Sequence, residues 1–265
     1  MVKKNECTVV TAYFDFPIKK NSTHSYLNWI KNFLPNTDAY MIIFTDEKSR
    51  DMISNLRKNY EEKTKIIKTE LTDFYCHKYM DYWDKDFNRD HENSYHHQYL
   101  YMIWNEKSNF LNVSINYNPF DTEFYMWCDI GMVRSEYTIK YISSFPNKNT
   151  IEKLNKNKVY LLNIQPFSND DLEINCSCEN FRYQNDKIGG GVIFGEASLL
   201  KTWVKCYYEM LEEFMSKDYF SGKDQSVMAC VYLKNRGLIE LVEPHNSPID
   251  SWFYMLYFLS NEYIS

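Results

Sequence analysis

The chain has 265 residues, 44% of them hydrophobic and 25% charged, and carries a net charge of −6. That length and composition suit one α/β domain able to bury its own core without staples. The acidic balance argues against a broad nucleic-acid footprint, which needs a basic face, but leaves room for a small anion held by a few cations.

In chain order, residues 7–14 are β-branched and aromatic and predict a buried first strand. Residues 25–34 space their apolar side chains as a helix does and stop before Pro35. Residues 39–45 read as a second buried strand, 46–56 as a helix and 63–69 as a third strand. Strands alternating with helices predict a mostly parallel sheet covered on both faces. Residues 73–97, dense in Tyr, Trp, Asp and His, keep no clean period and read as an irregular insertion on helical pieces. Residues 98–113 return to a helix, and 122–128 form a central strand ending at Asp129. A short helix is expected over 132–145, a strand over 158–164 and a loop over the polar stretch 168–186. Residues 188–194 make a glycine-rich strand, 196–215 and 224–235 two helices, and 238–242 the last strand, before an aromatic C-terminal helix. No repeat or linker interrupts the chain, so residues 1–265 are expected to form a single domain.

Seven cysteines, several inside apolar runs, read as reduced thiols of a reducing compartment. Cys176-Ser177-Cys178 lacks the spacing and the partner pair of a zinc knuckle. Residues 1–6 lack the apolar core of a signal peptide. No apolar run approaches the ~20 residues of a membrane span. The expectation is a soluble, cytoplasmic protein. Aromatic residues make up 17% of the chain, mostly Tyr and Phe; they fill cores, and Tyr can also line a sugar or base pocket.

Five constellations carry chemistry. Asp129-Ile130-Gly131 follows directly on the central strand. Ligands of open α/β sheets bind beyond the carboxyl ends of the strands. An Asp there can hold a divalent cation that bridges a diphosphate, or it can cap the next helix. Gly189-Gly190-Gly191 lets a backbone approach a ligand closely or adopt positive φ; a β-bulge accounts for it equally well. It is neither a dinucleotide fingerprint nor a Walker loop. Gly222-Lys223-Asp224-Gln225 opens a helix, whose free N–H groups favour an anion. Asp224 and Gln225 can hold sugar hydroxyls there, and Asp224 is also a good N-cap. His245 follows the last strand, where a neutral imidazole suits a metal, though a lone His is more often structural. His77, His91, His96 and His97 compete for that role and look less constrained. Lys107, on the helix before the Asp129 strand, can reach a phosphate or remain a solvated helix lysine.

The segments TVVTAYFD, IIFTDE, YMIWNEKSNFL, NPFDTEFYMWCDIG, IGGGVIFGE, WVKCYYEML and GKDQSVMA together resemble the HtrL/YibB family, in order from about Thr8 to about Phe258. That family is associated with bacterial lipopolysaccharide assembly and is similar to glycosyltransferases of the GT-A type. The resemblance implies a GT-A-like (Rossmann-like) α/β fold with a mostly parallel sheet flanked by helices. It implies transfer of a sugar from a nucleoside diphosphate, first of all a UDP-sugar, to a hydroxyl acceptor in glycan or lipopolysaccharide-type assembly. It also implies Mn²⁺ or Mg²⁺ as cofactor. Asp129 matches the first acid of an Asp-x-Asp signature, Gly131 stands where the second would be, and His245 matches a late metal-binding His. Thr11-Ala12-Tyr13 resembles the segment that receives the nucleoside, with Thr45 and Asp46 beside it. Gly190 and Gly191 would pass close to the donor sugar. Lys107 and Lys223 would add positive charge at the diphosphate. Asp224, with Gln225 next to it, would orient or deprotonate the acceptor hydroxyl. Two rivals share these features. A sugar-phosphate nucleotidyltransferase would call for a glycine-rich basic loop after the first strand, which this chain lacks. A non-catalytic nucleotide-sugar-binding module is left open by the missing second acid.

Overall fold

The computed structural model describes residues 2–16, 23–173, 178–183 and 186–261. Among these residues seven strands form one sheet: β1 (Lys3–Tyr13), β2 (Tyr40–Thr45), β3 (Thr64–Lys68), β4 (Thr122–Cys128), β5 (Val159–Asn163), β6 (Ile188–Glu196) and β7 (Ile239–Val242). Their order is β3-β2-β1-β4-β6-β5-β7. Only β6 runs against its neighbours; the pairings β1–β2, β1–β4, β2–β3 and β5–β7 are all parallel. The mostly parallel, helix-flanked α/β sheet expected from the alternation is therefore what forms, in a Rossmann-like arrangement.

Ten α-helices surround the sheet among the described residues. The first four are α1 (Thr23–Phe33), α2 (Glu47–Leu56), α3 (Met80–Arg89) and α4 (Gln98–Tyr117). Three short ones follow: α5 (Glu136–Ile139), α6 (Lys148–Lys153) and α7 (Asn169–Leu172). The rest are α8 (Ala197–Ser216), α9 (Asp224–Lys234) and α10 (Tyr254–Phe258). The continuous apolar runs of β1, β2 and β4 arise because both faces are buried. Val10, Ile42, Phe44, Tyr125 and Trp127 pack with residues of α4, α8 and α9. Their neighbours Val9, Met41, Ile43, Phe124 and Met126 pack with α1 and α10. Each such side chain removed from water contributes about 1.5–3 kcal/mol. The turn into β2 is held by Arg57, 1% exposed, which donates to the carbonyls of Leu34, Thr37 and Ala39.

Three segments differ from the sequence reading. Residues 73–97 contain a regular helix, α3, after short 3₁₀ turns. It buries Trp83 and Asp86 on one face, and Trp83 donates its indole N–H to the Cys76 carbonyl at 3.0 Å. Residues 132–145 form only the single turn α5, because Met132 and Val133 are drawn into the core. The stretch 168–186 contains α7, started by a reciprocal capping box between Ser168 and Asp171. Cys176 and Ser177 of the Cys-Ser-Cys triplet lie outside the described residues.

Candidate active site

The strand order changes direction between β1 and β4, with β2 and β3 on one side and β6, β5 and β7 on the other. At such a switch point the loops leaving the two carboxyl ends part and open a crevice. A cleft of about 720 Å³, counting space open to solvent, lies there. Ala12, Tyr13, Trp127, Asp129 and Gly131 line it from the strand ends, Tyr26 and Trp29 from α1, and Trp104 and Lys107 from α4. Met132 and Arg134 close it from the segment after Asp129.

Lys107, Asp129 and Asp224 meet at the floor. The Lys107 side chain is 4% exposed. Its Nζ lies 3.2 Å from Asp129 Oδ1 and 2.9 Å from Asp224 Oδ2, and donates to the Gly190 carbonyl at 2.9 Å. The Asp224 contact is an ion pair without hydrogen-bond geometry, so that buried oxygen accepts no hydrogen bond. Burial pulls the Lys107 ammonium down, but Asp129 and Asp224 outweigh it and push the ammonium up to about 12. Burial likewise lifts the Asp224 carboxyl above the ordinary carboxylate value, against the opposing pull of Lys107. Asp129 is the open member, its side chain 38% exposed. It is oriented by the Trp127 indole N–H, 2.6 Å from Oδ1.

The glycine run serves this floor. No described glycine takes positive φ. Opposite β5 the register jumps from Ile193–Leu161 to Gly189–Leu162, so residues 190–192 of β6 bulge. The bulge presents the Gly190 carbonyl to Lys107 and the Gly191 carbonyl to the Asp129 N–H at 2.8 Å. A Cβ at Gly190 would come within 2.8 Å of Asp224 Oδ2, and one at Gly191 within 2.6 Å of Met132 Sδ. Both glycines therefore admit close neighbours from the protein itself.

The other sequence candidates sit as follows. Thr11 is buried beneath the cleft, and its hydroxyl has no hydrogen-bond partner. Tyr13 lines the cleft; burial, then Asp15 and Asp46, push its phenol up to about 12. Thr45 donates to the Tyr13 carbonyl at 2.7 Å, which fixes the end of β1. Asp46 caps α2 through the Ser49 N–H and accepts from the Asp15 N–H, so both its oxygens are used inside the fold. Gln225 donates to the Ile188 carbonyl, and Lys223 pairs with Glu92. Neither of these two, nor Asp224, lines the cleft. Asp224 is the first residue of α9 rather than its cap and lies under Lys107, so the floor separates it from an acceptor in the cleft. Asp129 is not a cap either: the next helix, α5, starts from Ser135. His245 is exposed, with its ring 6.4 Å from Tyr254. Its strand, β7, is three positions from β4, roughly 14 Å at ordinary strand spacing. His245 is not among the residues of the cleft wall.

His96, set beside His245 in the sequence as the less constrained residue, is the buried one at 1% exposure. With Asp90 and Glu92 it forms the described group of ligating atoms that closes within 4.8 Å. Those atoms already bond one another and their neighbours. Asp90 Oδ2 lies 2.6 Å from His96 Nδ1 and accepts from the Tyr101 hydroxyl at 2.5 Å, while Glu92 pairs with Lys223. Among the described residues the cleft offers a divalent cation one carboxylate, Asp129, with an ammonium behind it. That donor set fits a cation arriving with phosphate oxygens of its own and does not fit a metal held by protein alone.

Sequence reasoning missed Tyr26, Trp29, Trp104 and Arg134 of the cleft wall. Arg134 left no signal beyond being a cation five residues after Asp129, behind the apolar Met132 and Val133.

A family model described as "Bacterial protein of unknown function (HtrL_YibB)" matches residues 5–256. No curated protein matches the chain. Among solved structures, mouse xyloside xylosyltransferase 1 in its apo form aligns with a TM-score of 0.46 and 10% identity, over 89% of this chain and 85% of that one. The 4-diphosphocytidyl-2C-methyl-D-erythritol synthase of Anaerococcus prevotii aligns with a TM-score of 0.43 and 8% identity, over 95% of this chain and 96% of that one. At these scores neither similarity carries an argument about the reaction.

Proposed function

The chain belongs to the HtrL_YibB family, and we propose that it is a GT-A-like glycosyltransferase. In this reading it moves a sugar from a nucleoside diphosphate, UDP first among the candidates, to a hydroxyl of a glycan or lipopolysaccharide-type acceptor. The observation that carries the reading is the switch-point cleft, whose aromatic wall stands over a floor of Asp129 and Lys107. Flat aromatic faces suit a base and a sugar. The acid–ammonium floor suits a phosphate group that travels with a cation.

Tyr13, Tyr26 and Trp29 would hold the nucleoside against the end of β1. Asp129 would hold Mn²⁺ or Mg²⁺ together with the diphosphate, and a bound cation of that kind offsets charge on the leaving group. Lys107 fixes the Asp129 carboxylate from behind. Asp224 acts through Lys107 as a positioning residue, because its carboxyl is buried against that ammonium. His245 has no part in this reading.

Calorimetric titration of UDP and GDP, each with and without Mn²⁺, tests the proposal, alongside hydrolysis of UDP- and GDP-sugars without acceptor. Metal-assisted binding of one nucleotide and slow release of its sugar are expected. A protein that binds neither nucleotide under any condition is not a UDP- or GDP-sugar transferase.

A further inference from the structure

We infer that Arg134 is the anion clamp of the cleft, the side chain that takes the phosphate groups of the nucleotide; this rests on the nucleotide-sugar reading above. Its guanidinium lies over the Trp29 ring at 4.5 Å and over the Phe253 ring at 4.9 Å. Stacking between two rings holds a planar cation in place, and guanidinium is the side chain whose fork of donors matches phosphate oxygens. The backbone under it is fixed as well. Met132 and Val133 are buried, and the Val133 carbonyl accepts from Asn32 Nδ2 at 3.2 Å.

Among the described residues no carboxylate pairs with Arg134, although acids outnumber bases by 36 to 30 in this chain. Lys107, the other cation of the cleft wall, pairs with two carboxylates. Arg134 is exposed, lines the cleft and makes no hydrogen bond to protein among the described residues. A clamped cation with its donors unused is built for an anion from outside. Asp129 and the Asp224–Lys107 pair leave the floor with a surplus negative charge, so the floor repels a bare anion and the rim attracts it. The diphosphate is thereby set between the Arg134 rim and a cation at Asp129, with the nucleoside on the Trp29 side.

The test compares UDP, uridine and inorganic pyrophosphate by calorimetry, with Mn²⁺ present throughout, on the wild type and on Arg134→Ala, Arg134→Lys and Phe253→Leu. Arg134→Ala should weaken UDP and pyrophosphate by roughly ten- to a hundredfold, the loss expected for one charge-assisted contact, and leave uridine unchanged. Arg134→Lys keeps the charge but loses the fork, and should recover only part of the affinity. Phe253→Leu touches no part of the nucleotide in this arrangement. It should cost a few-fold on UDP, and no more when added to Arg134→Ala. Wild-type binding of UDP that Arg134→Ala leaves intact overturns the clamp while the transferase reading stands. Binding of pyrophosphate that depends on Arg134, without any nucleotide bound, keeps the anion clamp and removes the nucleotide. Binding of none of the three ligands overturns both.

Discussion

Lys107 carries the electrostatics of the floor because one ammonium serves two carboxylates, and its removal leaves both exposed to each other. Lys107→Met keeps the stem and deletes the charge. Breaking a buried pair in this way costs about 3–5 kcal/mol, read as a drop in the denaturant midpoint. Lys107→Met with Asp224→Asn should recover part of the loss, since no bare carboxylate then remains buried. A double variant as unstable as the single one would mean that packing, not charge, explains the effect. The pH dependence follows from the direction of the shift. The folded-state value of Lys107 is raised, from 10.5 to about 12. Its stabilising contribution is therefore complete below about 10.5 and lost as pH rises through about 12. The stability difference between wild type and Lys107→Met should shrink over that window. Asp129 is open where Asp224 is buried, and so it should behave differently. Asp129→Asn still offers an oxygen to the Trp127 indole, and its thermal midpoint should stay near the wild type. Metal-dependent hydrolysis of the donor should fall by about 10² or more. Activity that a chelator does not change would remove the metal role from Asp129.

The β6 strand builds the floor from the other side, and its glycines are needed for what lies against them. Gly190→Ala drives a methyl to 2.8 Å from the Asp224 carboxylate, which cannot retreat without leaving Lys107. Overpacking of this kind costs about 1–3 kcal/mol, and donor turnover should drop with it. Gly191→Ala meets the Met132 sulfur at 2.6 Å instead, the end of a flexible side chain. Measured against Met132→Ala alone, Gly191→Ala should cost much less than it does in the wild type, whereas the cost of Gly190→Ala should be the same in both backgrounds. An equal reduction for both would mean that the two glycines share one clash. At this scale the sequence was legible where a strand is buried on both faces. The runs ending at Tyr13, Thr45 and Cys128 are continuous and apolar, and they are the strands at the centre of the sheet. It was not legible where direction or register decides. Period alone does not say that β6 runs antiparallel, or that residues 190–192 bulge. In α3 the charged positions Asp81, Asp84, Lys85 and Asp86 surround Trp83, so the apolar stripe is too narrow to recognise. Lys107 stood out because it lies on the helix leading to Asp129. Trp29 and Arg134 did not, because 105 positions of chain separate two side chains that meet only after α1 packs beside the loop from β4.

The cleft draws its walls from both layers of the molecule, α1 on one face of the sheet and α4 on the other, with the ends of β1 and β4 between them. A ligand seated there contacts elements that separate only when the whole domain opens, so its binding energy should appear as global stability. At a hundred times the dissociation constant that amounts to about 2.7 kcal/mol. For a domain of this size the thermal midpoint should rise by about 5–10 °C. The single carboxylate of the cleft sets the condition under which this happens. On the proposed reading Mn²⁺ without nucleotide would have Asp129 as its one ligand from the described residues and the Lys107 ammonium 3.2 Å from that carboxylate, so alone it should not move the midpoint. UDP supplies the missing oxygens, and the pair together should give the full rise. Asp129→Asn should lower the combined shift to that of UDP alone. A substantial rise with Mn²⁺ alone would reveal a protein-built metal site elsewhere, and the Asp90, Glu92 and His96 group is where to look. In that case the shift would persist in Asp129→Asn and disappear in Asp90→Asn, which separates the two sites in one melting series.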